Sequence, residues 1–119
     1  MTKEELKQRT KLFALRIINI VNALPKNAVS RTIANQLIRC GTSVGANYRA
    51  SCRARSKKEF ISKLGIVLEE SDECSFWLEL IIEAKLLKKI RVEPLLNESD
   101  ELTAIFSSSI KTAKSSNKK

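Results

Sequence analysis

Between Phe60 and Ile81 the sequence sets Phe60, Leu64, Val67, Ser71, Cys74, Leu78 and Ile81 in unbroken four-three spacing. That is the heptad repeat of helices packed at a shallow angle, and a strand, whose side chains alternate every two residues, cannot gather such a row on one face. The spacing predicts a helix from about Lys57 to about Leu87. Ser56-Lys-Lys-Glu59 in front of it matches the S-x-x-E capping box, in which both side chains satisfy amide hydrogens exposed at a helix start. A second row (Ile61, Leu68, Ile82) and the scattered Ile66, Phe76, Trp77 and Leu80 leave this helix apolar around much of its circumference. It therefore wants more than one neighbour, and a subunit interface is expected besides an internal core.

The flanking segments have the same period. Leu6, Phe13, Ile17, Ile20 and Leu24 predict a first helix from about Lys3 to Leu24, closed by Pro25, which cannot continue the hydrogen-bond ladder. Asn27 or Ser30 can cap a second helix running roughly from Ala28 to Arg55, with Ile33, Leu37, Cys40, Val44 and Tyr48 as its seam. Lys88-Lys-Ile-Arg91 reads as a turn, its cations near the negative end of the preceding helix dipole. Pro94 suits the first turn of a fourth helix carrying Leu95, Ser99, Leu102, Phe106, Ser109 and Ala113. Three glycines and two prolines leave little material for the turns of a sheet. The expected fold is all-α, an antiparallel up-down-up-down four-helix bundle over residues 1–114, with 115–119 as a disordered basic tail.

Within the second helix, Gly41 and Gly45 lie one turn apart, and each costs about 1 kcal/mol against alanine in a helix interior. Close approach of another helix is the expected compensation, with Ala34 on the same small-residue stripe. A phosphate-binding loop is a poor alternative, because neither G-x-x-x-x-G-K nor G-x-G-x-x-G occurs.

The formal charge of +9 is unevenly spread. From Leu6 to Lys58 there are twelve basic residues and no acid, whereas from Glu59 onward eleven acids face nine bases. A polyanion, or an acidic surface, would be drawn to the first half. Arg49 and Arg53 share a face at i,i+4, and Arg55, Lys57 and Lys58 extend the cluster towards the third helix. Guanidinium groups grip phosphate oxygens in bidentate fashion, and Tyr48 beside them could stack on an unpaired base. Only the outer surface of the second helix is expected to serve, by sequence-tolerant contact to the nucleic-acid backbone. The competing account spends the arginines on structure: Glu69/Glu73 and Glu79/Glu83 are like-charge i,i+4 pairs, and Arg39, Arg49 and Arg53 could relieve them.

Histidine is absent, which removes imidazole-based triads and the commonest metal ligand. A di-iron bundle needs Glu-x-x-His on two helices, so neither metal nor cofactor is expected, and the chain reads as a non-enzyme. Cys40, Cys52 and Cys74 are odd in number and far apart; Cys40 and Cys74 fall on seam positions and read as small core residues. No apolar run resembles a signal peptide or a membrane span, so a soluble, cytoplasmic protein with no membrane partner is expected.

Thr42-Ser-Val-Gly-Ala-Asn-Tyr-Arg49, Arg53-Ala-Arg-Ser-Lys-Lys-Glu-Phe60 and Leu78-Glu-Leu-Ile-Ile-Glu83 together resemble the signature of bacterial four-helix-bundle proteins first noticed as reading frames in intervening sequences of large-subunit ribosomal RNA. These are similar in turn to the accessory variability protein of diversity-generating retroelements. The resemblance implies a cytosolic homopentameric ring without known enzymatic activity. It also implies RNA or DNA, and a reverse transcriptase or other nucleic-acid enzyme, as partners of a basic surface. The alternative function is a protein–protein assembly module with no nucleic-acid role.

Overall fold

Thr2 opens the first helix. Its hydroxyl accepts from the Glu5 amide at 3.0 Å while the Glu5 carboxylate accepts from the Thr2 amide at 3.1 Å, a complete capping box. Those hydrogen bonds also hold the Glu5 carboxyl below its ordinary pKa. The computed structural model describes residues 1–116, in four helices: α1 (Lys3–Ala23), α2 (Ala28–Ser51), α3 (Lys57–Glu83) and α4 (Lys89–Ser116). Asn27 caps α2 by accepting from the Ser30 amide at 2.9 Å, and Ser56 caps α3 by accepting from the Glu59 amide at 3.1 Å. No strand occurs among the described residues.

The helices run in sequence around an antiparallel bundle of 52 × 21 × 20 Å. α3 packs along both α2 and α4, α1 packs along α2, and α1 meets α4 least. The start of α1, the end of α2, the start of α3 and the end of α4 therefore share one end of the molecule. Lys57 donates to Ser116 there, and the Lys3 ammonium sits 5.7 Å from the centre of the Phe60 ring. The thin α1/α4 seam is tied by Arg9, whose guanidinium grips both carboxylate oxygens of Glu98 at 2.7 Å and reaches Glu101 at 2.9 Å. Those carboxylates, Glu98 first, hold the guanidinium firmly in its charged form.

Most of the rows read from the sequence form the core: Leu6, Phe13, Ile17 and Ile20 on α1 with Leu24 at its C-cap, the whole α2 seam from Ile33 to Tyr48, Leu64 to Ile81 on α3, and Leu95, Ser99, Leu102 and Phe106 on α4 are buried. Ser109 and Ala113 are half-buried, while Val92, outside the expected row, is buried. Phe60, at the frayed end of its row, is half-buried. The α3/α4 seam also holds a group of hydroxyls. Ser75 Oγ lies 2.8 Å from Ser99 Oγ and 2.7 Å from Asp100 Oδ1, Ser99 Oγ donates to the Ser71 carbonyl at 2.9 Å, and Ser71 meets Thr103 at 2.9 Å.

Helix boundaries depart from the expected ones in four places. α2 ends at Ser51 rather than Arg55, because Ser56 is used as the next cap. α3 ends at Glu83 rather than Leu87, in a Schellman motif: the Lys85 amide donates to the Ile82 carbonyl and the Leu86 amide to the Ile81 carbonyl, both at 3.0 Å. Lys85 takes the left-handed conformation (φ 57°) that glycine usually supplies, so the sequence carried no visible stop signal. Lys89–Arg91 are consequently the first turn of α4, and Pro94 is its sixth residue, where the missing amide leaves the Ile90 carbonyl without its helical partner. At the chain's end Ser115 and Ser116 continue α4; residues 117–119 of the expected tail lie outside the described residues.

Candidate nucleic-acid interface

The placement of Arg49 and Arg53 begins with the α1/α2 packing beneath them. A Cβ built on Gly41 would lie 2.7 Å from two carbons of the buried Ile17 side chain, so any side chain there collides with α1. At Gly45 the nearest atoms are the Thr10 carbonyl and hydroxyl oxygens at 3.4 Å, an ordinary contact for a methyl group. The small stripe thus lets α1 lie close to α2, and half-buried Ala34 continues it near Val21 and Leu24 at the far end of the same seam.

Over Gly45, Ala46, Ala14 and Thr42 the two backbones leave an outer groove of about 480 Å³. Lys7 and Lys11, with Glu4 beside them, line it from α1, Arg49 from the last turn of α2 and Arg53 from the turn just past its C-cap. Lys7 and Lys11 are spaced i,i+4 and present their cations on one face of α1, while the turn that ends α2 brings Arg53 to the same groove as Arg49. Lys7 bonds Glu4 at 3.2 Å in an exposed i,i+3 pair of the kind that contributes about 0–1 kcal/mol. Arg49 and Arg53 make no ion pair with an acid among the described residues, and both are exposed. Arg55, Lys57 and Lys58 do not line the groove; they stand exposed beyond it, on the α2–α3 connection and the first turn of α3.

Two expectations about this region are corrected. Tyr48 is 5% exposed, with its ring 5.8 Å from that of Phe106, so it is a core residue and cannot stack on a base. Burial, with a smaller contribution from Cys52, pushes its phenol pKa upward. The reachable surface is also wider than α2 alone, since α1 supplies half of the groove's cations. The i,i+4 spacing of Lys7 and Lys11 was visible in the sequence; that they look across at Arg49 and Arg53 depends on how α1 is rotated against α2.

The structural account of the arginines holds for one of three. Arg39 bonds Glu70 at 3.0 Å and Glu73 at 2.6 Å, and Glu73 also accepts from the Trp77 indole at 3.0 Å. Glu73 raises the Arg39 pKa, and the Trp77 hydrogen bond, then Arg39, lowers that of Glu73. Among the described residues no group of three or more histidines, cysteines, aspartates or glutamates is placed to hold a metal ion. No described helix is long and apolar enough to cross a membrane.

With this geometry in hand, comparison places the chain among known proteins. Residues 2–108 match the family described as 23S rRNA-intervening sequence protein. The crystal structure of a protein of unknown function from the S23 ribosomal protein family of Bacteroides thetaiotaomicron is similar at 35% identity and a TM-score of 0.85, covering 93% of this chain and 99% of that one. No curated protein matches.

Proposed function

The chain belongs to the 23S rRNA-intervening sequence protein family, and from that premise we propose that it is a non-enzymatic scaffold that assembles with copies of itself and holds the backbone of RNA or DNA in the α1/α2 groove. One observation carries the reading: Lys7, Lys11, Arg49 and Arg53 converge on a single groove, and its two arginines are left without acidic partners among the described residues. Cations on α1, on α2 and on the turn that ends α2, with small residues between them, let phosphates approach closely, and each phosphate neutralised releases condensed counterions. The lining residues include no aromatic, so contact is to the backbone and tolerant of sequence. Arg55, Lys57 and Lys58 extend the field beyond the groove.

Self-assembly is supported by the apolar side chains the bundle leaves outside. Leu12, Leu15 and Ile18 are exposed on α1, and Ile66 and Phe76 on α3, where Phe76 stands edge-on to Trp77 at 5.0 Å. Lys11 flanks the first set, while Lys63, Glu69, Asp72 and Glu79 flank the second, one cation against three acids. Two different faces of opposite charge suit a head-to-tail contact, which closes into a ring when the rotation allows; the resemblance supports five subunits. Light scattering after size exclusion gives the subunit number, and a monomer at micromolar concentration overturns the assembly.

For the groove, the test is binding of single- and double-stranded RNA and DNA across a salt series, wild type against Arg49→Glu/Arg53→Glu. The expected result is at least a tenfold loss of affinity at low salt and a log–log salt slope shallower by roughly two, about one for each lost phosphate contact. Absence of binding at low salt, or binding indifferent to salt and to the double substitution, overturns it. Capture from nuclease-treated lysate separates the assembly-module alternative: an acidic protein or a nucleic-acid enzyme such as a reverse transcriptase stays bound without nucleic acid only if it docks directly.

A further inference from the structure

At the middle of the α2/α3 seam two thiols face each other, Cys40 Sγ and Cys74 Sγ, 3.2 Å apart and fully buried. We propose that Cys40 and Cys74 form a buried oxidation site, a dithiol that a peroxide converts into a disulfide stapling α2 to α3. Two thiols facing each other with no third ligand grouped beside them among the described residues select this chemistry over metal binding. A disulfide needs its sulfurs at about 2.05 Å, about 1.1 Å closer than they stand. A tetrahedral metal held by two thiolates at about 2.3 Å each sets its sulfurs about 3.8 Å apart and needs further ligands, and among the described residues no third histidine, cysteine or carboxylate is placed to supply one.

The surroundings decide when the site reacts. Cys74 donates to Cys40, and that hydrogen bond, followed by burial, raises the Cys74 pKa. Thiolate is the nucleophile, so the closed bundle disfavours the reactive form of Cys74 and its burial keeps peroxide from both sulfurs; reaction requires a transient opening of the seam. The first thiolate then attacks the peroxide O–O bond; its sulfur takes the hydroxyl as a sulfenic acid, and the other oxygen leaves as water once protonated. The neighbouring thiol attacks that sulfur, the S–OH bond breaks, and hydroxide departs with the attacking thiol's proton as a second water. The two sulfurs lose two electrons between them, which the peroxide accepts. Cys52, at the C-cap of α2 and only partly buried, is not opposed to either thiol and oxidises separately.

The test uses the full-length chain with Cys52→Ser, so that only the pair remains. After hydrogen peroxide treatment of the folded protein, free thiols are alkylated in denaturant and the intact mass is read. The expected product carries no alkyl group, is two hydrogens lighter, yields one peptide joining Cys40 to Cys74, and returns to two alkylatable thiols after reduction. Because the cross-link constrains the unfolded chain, the oxidised form melts several degrees higher than the reduced form. Two alkylated thiols after an exposure that oxidises Cys52 in the wild-type chain, sulfinic acids in place of a cross-link, or a disulfide between two copies would each overturn the site. An oxidised form that melts no higher would overturn the staple.

Discussion

Along α1/α2 the helices meet where α2 has no side chain to offer, whereas along α3/α4 they meet through hydroxyls. At Gly41 a methyl group would sit 2.7 Å from Ile17, so the backbone itself is the packing surface. On the other side Ser71, Ser75, Ser99 and Thr103 are small but carry side chains, which bond one another and the Ser71 carbonyl. Both seams bring helices close, and the difference lies in what they tolerate. A glycine seam fails by steric overlap and a serine seam by loss of hydrogen bonds, with the polar seam able to compensate through remaining partners. The rigid, close α1/α2 pair is also the one that carries the basic groove.

The largest expected effect is at Gly41. Overpacking against a buried isoleucine costs about 1–3 kcal/mol, more than the roughly 1 kcal/mol gained in helix propensity, so Gly41→Ala should lower the thermal midpoint. An unchanged or higher midpoint would erase the distinction between the seams. Ser99→Ala comes next, at about 1 kcal/mol, because it removes hydrogen bonds without an overlap. Combined with Ser75→Ala it should cost less than the two singles added, since they share a bond; strict additivity in a double-mutant cycle would show that the hydroxyls act independently. Gly65→Ala supplies the control: nothing lies within 4 Å of a Cβ there, and the substitution should raise stability by about 0.5–1 kcal/mol.

The smallest effect is at the link between the two halves, where Glu73 takes the Arg39 and Trp77 hydrogen bonds. Its pKa is lowered from an ordinary 4.5, so its contribution is present above pH 4.5 and is lost as the pH falls through the lower folded value. Thermal midpoints of wild type and Glu73→Gln should therefore differ at neutral pH and converge in acid. A difference that persists in acid would show that the carboxylate charge is not what Glu73 contributes.

Acid-free sequence between Leu6 and Lys58 suggested a continuous basic surface, yet its cations have different fates in the fold. Arg9 closes the α1/α4 seam, Arg39 ties α2 to α3, and Arg49 and Arg53 remain for the groove. All four are arginines, and nothing in the sequence around them distinguishes their fates. Tyr48 shows the same limit: it satisfied both a seam position and a place beside the basic cluster, and the core took it, because burying an aromatic ring against Phe106 is worth more than leaving it in water. The end of α3 escaped notice for another reason, since a lysine adopts the conformation that a glycine would have advertised.

What the sequence determined by itself is the set of four helices, the starts of the first three and most of the rows of residues they bury, because period, capping and backbone propensity act within a few residues along one chain. Tertiary structure alone decided which cations are spent, which two lysines join Arg49 and Arg53, and that Cys40 meets Cys74. Each of those outcomes depends on the rotation and axial register of one helix against another, which pairs residues as far as 89 positions apart.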